Sequence, residues 1–352
     1  MATSGTVSKT VFNTGRVIDH AYRRCRVPPE TVSSEMLQIA QDNLYLLFSM
    51  LPNMGIPLWT IERYVLPFYQ GQANITLPLG TIDVQNYNYR TISRYTGATV
   101  SSSGGVADYA SDNDLLTGCA QTSPNGSIMT DIFQPVFVST LGVNMKTAGT
   151  YTLIFEYSND LVTWTSVVAP GAVAYAAGEW QWYDLDPQIY AQYWRVRESG
   201  GATLDVAEFV VAGNPNEIPL ARLNQDDYTN LPNKAFQGRP LQFWLDRKVN
   251  RPVMRLWPVP NAAAAYAQCV VWVERYIQDV GTLTQEIEVP QRWYDAIVSQ
   301  LALKLALETP QVDPSMIGIL TPIADRALSL AQMEERDNSP VMWTPNIAPY
   351  TR

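Results

Sequence analysis

Histidine is all but missing from these 352 residues, and His20 is the single one. Catalytic triads and metal centres built on imidazole are therefore nearly excluded. Cysteine is scarce too. Cys25, Cys119 and Cys269 are widely spaced and odd in number, which suggests neither a disulfide framework nor a zinc site and suits a reducing cytoplasm. Charged residues make up only 16%, and a net charge of −9 leaves no overall basic field to grip nucleic acid. No uncharged apolar run approaches the length of a membrane span, so no membrane partner is expected. The opening MATSGTVSKTVFNTG lacks the apolar core of a signal peptide. Without a secretion signal, the glycosylation-type triplets at Asn74 and Asn125 are read as chance. No phosphate-binding glycine loop, nucleophile elbow or His-Glu-x-x-His is found. Carboxylate pairs for glycoside chemistry remain open, because sequence cannot pair 33 acidic residues. The expectation is a protein that is not an enzyme.

Apolar residues, by contrast, reach 46%. That suits a large core or extensive subunit contacts, and the length suggests two domains, one inserted in the other. Residues 1–29 carry Lys9, Arg16, Arg23, Arg24 and Arg26 against Asp19. They read as a loose arm followed by a short basic helix stopped at Pro28-Pro29. That helix is either a solvated face or a contact for an acidic neighbour or DNA. Over 30–51, Met36, Leu37, Ala40, Leu44, Leu47, Phe48 and Leu51 fall on one helical stripe. Strand, turn at Gln70-Gly71-Gln72, and strand follow.

Two polar seams, 98–105 and 213–219, bracket a run of short strands with turn signals, which reads as a sandwich or jelly roll spanning 98–213. After it, 242–261 reads as a Trp- and Arg-rich hairpin with a hard stop at Pro258-Val-Pro260. Helices are expected after Pro290, with Trp293, Ile297, Leu301 and Leu305 on one side, and over 314–336. Thr321-Pro322 makes the latter two helices or one kinked helix. Residues 337–352 read as an extended arm. The fold class is therefore α+β: a helical domain with a small antiparallel β part, in segments 1–97 and 214–336, interrupted by an all-β jelly roll.

One loop is chemically suggestive. In ASDNDLLTG, Asp112, Asp114 and Thr117 supply oxygen atoms that suit a hard cation, or equally bond their own backbone in an Asx-rich turn. The aromatic residues Trp164, Trp180, Trp182, Tyr183, Tyr193 and Trp194 are either sandwich core or platforms for stacking on sugar, with Trp180 and Trp182 the candidate glycan or fibre contacts.

The pieces SDNDLLT, EYSNDLVTWTSV, YWRVR and LDVAEFVV resemble a discoidin (F5/8 type C) jelly roll of the kind found in carbohydrate-binding modules. The resemblance implies a Ca²⁺ site at Asp112, Asp114, Thr117 and Glu208. The family's Trp after that Thr is replaced here by Gly118-Cys119. The remainder, with GIPLWTIERYVLPFYQGQANITLP, IDVQNYNYR, LPNKAFQGRPLQFWLDRKVNRPVMRLWPVP and EVPQRWYDAIVSQLALKLALE, resembles head-to-tail adaptor proteins of short-tailed bacteriophages. That resemblance implies a virion protein at the portal-tail junction. It implies a homo-oligomeric ring of about twelve subunits under the portal protein, prolonging the channel through which DNA passes. Tail nozzle and tail fibre would dock on it. Met342, Trp343, Ile347 and Tyr350 would be the portal-binding anchors of the C-terminal arm. A glycan-binding tail protein is the alternative, and a glycoside-cleaving tail enzyme a third reading.

Overall fold

The computed structural model describes residues 12–54, 58–249 and 251–334. The chain forms two compact units, residues 1–62 with 274–352, and residues 63–273.

The first unit is helical. Helix α1 (Thr14–Arg24) starts where the Asn13 side chain accepts from the Arg16 N–H at 2.9 Å, and it ends on cations. Its Val17, Ile18, Ala21 and Tyr22 face the core. Arg24, from the basic run, is paired within the chain to Asp295. Helix α2 (Ser34–Met50) is capped by Ser33 and buries Ala40, Leu44, Leu47 and Phe48 from the anticipated stripe. The five-residue α3 (Gln225–Thr229) belongs to the other unit. Helix α4 (Tyr294–Glu308) is buried nearly all round, because its small and apolar residues occupy every face and α1, α2 and α5 pack on it. Helix α5 (Ser315–Glu334) runs unbroken through Pro322. Proline there deprives the Gly318 carbonyl of its donor, at an exposed position of the helix.

The second unit is β-rich. In chain order its strands are β1 (Ile61–Pro67), β2 (Asn74–Thr76), β3 (Thr81–Tyr95), β4 (Ala98–Ser101), β5 (Cys119–Ala120), β6 (Ser127–Met145), β7 (Gly149–Ser158), β8 (Thr165–Val168), β9 (Ala172–Tyr175) and β10 (Trp180–Glu198). They continue with β11 (Asp205–Pro219), β12 (Ala221–Leu223), β13 (Gln237–Gly238), β14 (Gln242–Asp246), β15 (Val253–Trp257), β16 (Val259–Pro260) and β17 (Gln268–Arg275). The main sheet runs β1-β17-β3-β11-β6-β10-β7-β8, with β4, β5 and β9 attached to β6, β11 and β7. The protein is thus mixed α+β with a large antiparallel β sandwich.

The sandwich arises because β6 and β10 are long enough to serve two layers. The first part of β6 pairs with the second part of β10, which also pairs with β7; the rest of β6 pairs with the start of β10 and with β11. Register shifts at 184/189 and 191/193 of β10 mark the bend. Leu141, Val143, Phe209 and Val211 meet Leu153, Phe155, Trp194 and Val196 across the core, with Phe155 and Phe209 rings 6.3 Å apart.

Burial along β6 follows from this. Residues 127–132 alternate, whereas 138–145 are buried at every position. The outer face there is covered by Trp180, Trp182, Val210 and Ala212 packing with Val65, Tyr69, Ile92, Leu115 and Tyr266. Asp184 joins the same contact. It accepts from Arg90 at 2.7 and 2.9 Å, pairs with Arg63 and accepts from Thr140 at 3.2 Å.

The anticipated hairpin is β14-β15, with Gln242 opposite Trp257 and Asp246 opposite Val253. Its aromatic and basic residues satisfy one another: Tyr228 stacks on Trp244 at 5.2 Å, Arg255 lies over Trp244 at 5.4 Å, and Arg255 pairs with Asp246 at 2.9 Å.

Candidate functional site

The 110–118 loop folds on itself. Asp112 accepts from the Asp114 N–H at 2.9 Å and from the Thr117 hydroxyl at 2.9 Å. Asp114 accepts from the Leu116 N–H at 2.8 Å. These are Asx-turn bonds, so Asp114 and Thr117 already have partners inside the loop. Glu208 reaches the loop from β11. It is buried, its Oε1 has no partner, and its carboxyl is pushed up to about 7, first by desolvation and then by Asp112. Arg94 bonds Asn113 Oδ1 at 2.6 Å and lies over the Tyr266 ring at 3.6 Å. Among the described residues, no group of three or more acidic, Cys or His side chains converges as a metal shell. Of the four candidate ligands, the fold brings Asp112 and Glu208 together as hard-oxygen donors, the latter with an orphaned buried oxygen. It does not turn Asp114 and Thr117 toward that oxygen.

Trp180 and Trp182 require a correction. They are 3% and 8% exposed and stack on each other at 4.8 Å, so neither presents a face to a glycan or fibre. Trp182 lies flat on Gly142, where a Cβ would come within 2.3 Å of the ring. The Trp180 N–H donates to the Tyr69 hydroxyl at 2.8 Å. Trp194 is core, and Trp164 lies under Arg195 at 4.0 Å. The portal-arm residues Met342, Trp343, Ile347 and Tyr350 lie outside the described residues. His20 packs its ring against Phe12 at 5.5 Å.

Three aromatic side chains that face water sit together at the bend of the β6/β10 ribbon. Phe133, Phe137 and Tyr190 are 69%, 57% and 52% exposed. Phe137 and Tyr190 are cross-strand partners with ring centroids 5.0 Å apart. Phe133 holds a φ of +66°, a left-handed conformation that costs an aromatic residue about 1 kcal/mol or more. Asp131 fixes it by accepting the Phe133 N–H at 2.8 Å, and Gln192 donates to the same carboxylate at 2.9 Å. Asn159 then bridges to β10, accepting the Gln192 N–H at 3.0 Å and donating to the Tyr190 carbonyl at 3.4 Å. The exposed Leu161 and Val162 follow Asn159 on the adjoining turn. The result is an apolar, ring-bearing platform bordered by fixed carboxylate and amide groups. Sequence reasoning missed it. The available signal was Phe133-Gln134-Pro135-Val136-Phe137, a proline-interrupted strand with a phenylalanine at each end.

No family model matches this chain, and no curated protein matches it. Solved structures that are similar include a CBM32 module from Clostridium perfringens in complex with GalNAc-β-1,3-galactose, at 13% identity and TM-score 0.32, covering 34% of this chain and 100% of that one. The CBM32 of AlyQ in complex with 4,5-unsaturated mannuronic acid is similar at 16% identity and TM-score 0.31, over 34% of this chain and 97% of that one. A Streptococcus pneumoniae fucose binding module matches at 18% identity and TM-score 0.29, over 34% and 93%.

Proposed function

We propose that this is a carbohydrate-binding protein, not an enzyme, that recognises surface glycan through the bend of its sandwich. The observation that carries the reading is the solvent-facing set Phe133, Phe137 and Tyr190 beside Asp131, Asn159 and Gln192. Saccharides offer apolar C–H faces ringed by hydroxyls. An aromatic platform bordered by anchored amide and carboxylate groups complements both. A solvent-exposed cluster of this kind is otherwise unfavourable for a soluble surface. Within this reading the buried Glu208 and the exposed Asp112 beside it would hold a Ca²⁺ ion that satisfies the Glu208 carboxylate and pins the loop. The test is retention of the full chain on a glycan array, against F137A/Y190A. Retention that the double variant loses supports the reading; no retention of the parent on any glycan sinks it.

A second reading, the phage head-to-tail adaptor, rests on a different observation. The helical unit exposes Tyr45 and Leu46 on α2 and Leu307 on α4, apolar groups suited to burial in an assembly. Its test is native mass spectrometry and negative-stain imaging of the chain mixed with portal protein. A ring of about twelve, with nozzle and fibre docking to it, is the expected result for this reading.

A further inference from the structure

The exposed rings at the bend of the sandwich stand in a field of one sign. Three segments build that platform, residues 131–137, 157–163 and 186–193. Together they hold three aspartates, Asp131, Asp160 and Asp186, and no Lys, Arg, His or Glu. The carboxylates are placed rather than scattered. Strand β10 runs between β6 and β7, so Asp131 on β6 and Asp160 on the turn after β7 flank the strand that carries Tyr190. Asp131 accepts from the Phe133 N–H and from Gln192. Both bonds fall on Oδ1, so Oδ2 has no hydrogen-bond partner among the described residues. Asp160 accepts from the Val162 and Thr163 N–H groups at 2.9 and 2.7 Å. It follows Asn159, which is bonded to the backbone of Tyr190 and Gln192. Asp186 is exposed at the register shift that precedes Tyr190. Further along β10 the cations are occupied. Arg195 and Arg197 both pair with Glu156, at 2.6 and 3.3 Å, and Arg195 lies over Trp164.

We infer that the glycan taken by this platform is a cationic one, an oligosaccharide of amino sugars that carry free ammonium groups. This occupant presupposes the glycan-binding reading above and narrows it. An amino sugar matches both halves of the site. Its C–H face lies on Phe137 and Tyr190, and its N–H donors meet carboxylates. An ammonium near the rings is also attracted by their π faces. Tyr190 is paired with Phe137, and Tyr193 with Asp131. About 10 Å of strand, three residues at about 3.3 Å each, therefore separates the ring pair from the free carboxylate oxygen. That span exceeds one pyranose ring, so more than one sugar residue is engaged. Uronic or sulfated saccharides would bring further negative charge to three carboxylates and are repelled. N-acetylation removes the cation and with it the advantage.

Isothermal titration of the full chain tests this. The probes are glucosamine and galactosamine oligomers, their fully N-acetylated counterparts and galacturonate oligomers, at about pH 6, where the sugar amine is protonated. The expected result is a Kd at least about tenfold lower for an amino form than for its N-acetylated counterpart, with no binding of galacturonate. D131N keeps Oδ1 for its two donors but removes the charge, and should bring that ratio close to one. D160N repeats the test on the other side of β10. Circular dichroism first establishes that each variant is folded. Equal or tighter binding of the N-acetylated forms would overturn the cationic ligand while leaving the glycan-binding reading standing. So would a preference that persists undiminished in D131N/D160N. Binding of none of these saccharides would overturn it as well, and the glycan array then decides whether the broader reading falls with it. Self-association of the parent that F137A/Y190A abolishes would also overturn it, because a second copy would then cover the rings.

Discussion

Two aromatic pairs lie on the same β6/β10 ribbon, and their fates differ. Trp180 and Trp182 sit at one end of β10, stacked and buried beneath Tyr69 and Tyr266. Tyr190 sits eight residues further along, beside Phe137, and faces water. Both pairs lie on a pleated surface and both are rich in π-area. What separates them is cover. Val65 of β1, Ile92 of β3 and the residues Tyr69, Leu115 and Tyr266 pack over the tryptophan end, whereas the rings of Phe137 and Tyr190 are left exposed. Ring content therefore says little about binding, and the absence of a covering element says much.

This contrast can be broken at several positions, beginning with the largest expected effect. Trp182→Ala should cost about 3–5 kcal/mol by chemical denaturation, the range for emptying a buried aromatic site. Phe137→Ala at the other end should cost under about 1 kcal/mol and, on the proposed glycan-binding reading, abolish retention on glycan. Equal stability losses would collapse the distinction. Asp184→Ala should cost about 3 kcal/mol, because Arg90 is left buried with only Glu217 as an ionic partner. Denaturation at neutral pH measures it. Gly142→Ala should cost about 1–3 kcal/mol by lifting Trp182 off the strand.

The smallest effect concerns the turn beside the platform. Asp160 is held down at about 2 by the Thr163 and Val162 N–H groups it accepts. Its folded value lies below its unfolded one. Its contribution is therefore full above about pH 4 and is lost as pH falls toward 2. Asp160→Asn should flatten that part of the stability-pH curve, read by thermal melts at closely spaced pH.

Much of this was legible in the sequence. The α2 stripe, the Pro28-Pro29 stop, the 242–257 hairpin and the strand runs between 98 and 213 are local patterns, and local patterns fix local structure. The approach of Glu208 to Asp112 came only by resemblance, since the long stretch of chain between them hides it. Two features were not legible. Thr321-Pro322 reads as either a break or a kink, and which of the two a helix adopts depends on what surrounds the freed carbonyl. The buried tryptophans and exposed phenylalanines share one composition, and only the tertiary packing of residues 65–69 and 266 tells them apart.

The covered outer face of the sandwich has a practical corollary. A fragment cut at the two seams would keep its inner core but strip Trp180, Trp182, Val210 and Ala212 of Val65, Tyr69, Ile92 and Tyr266, and would orphan the Asp184 carboxylate from both arginines. Such a piece would meet water with a sticky aromatic flank and self-associate. Transplanting the sandwich into another scaffold would therefore need its flanking strands to travel with it, or those four side chains to be redrawn as polar ones.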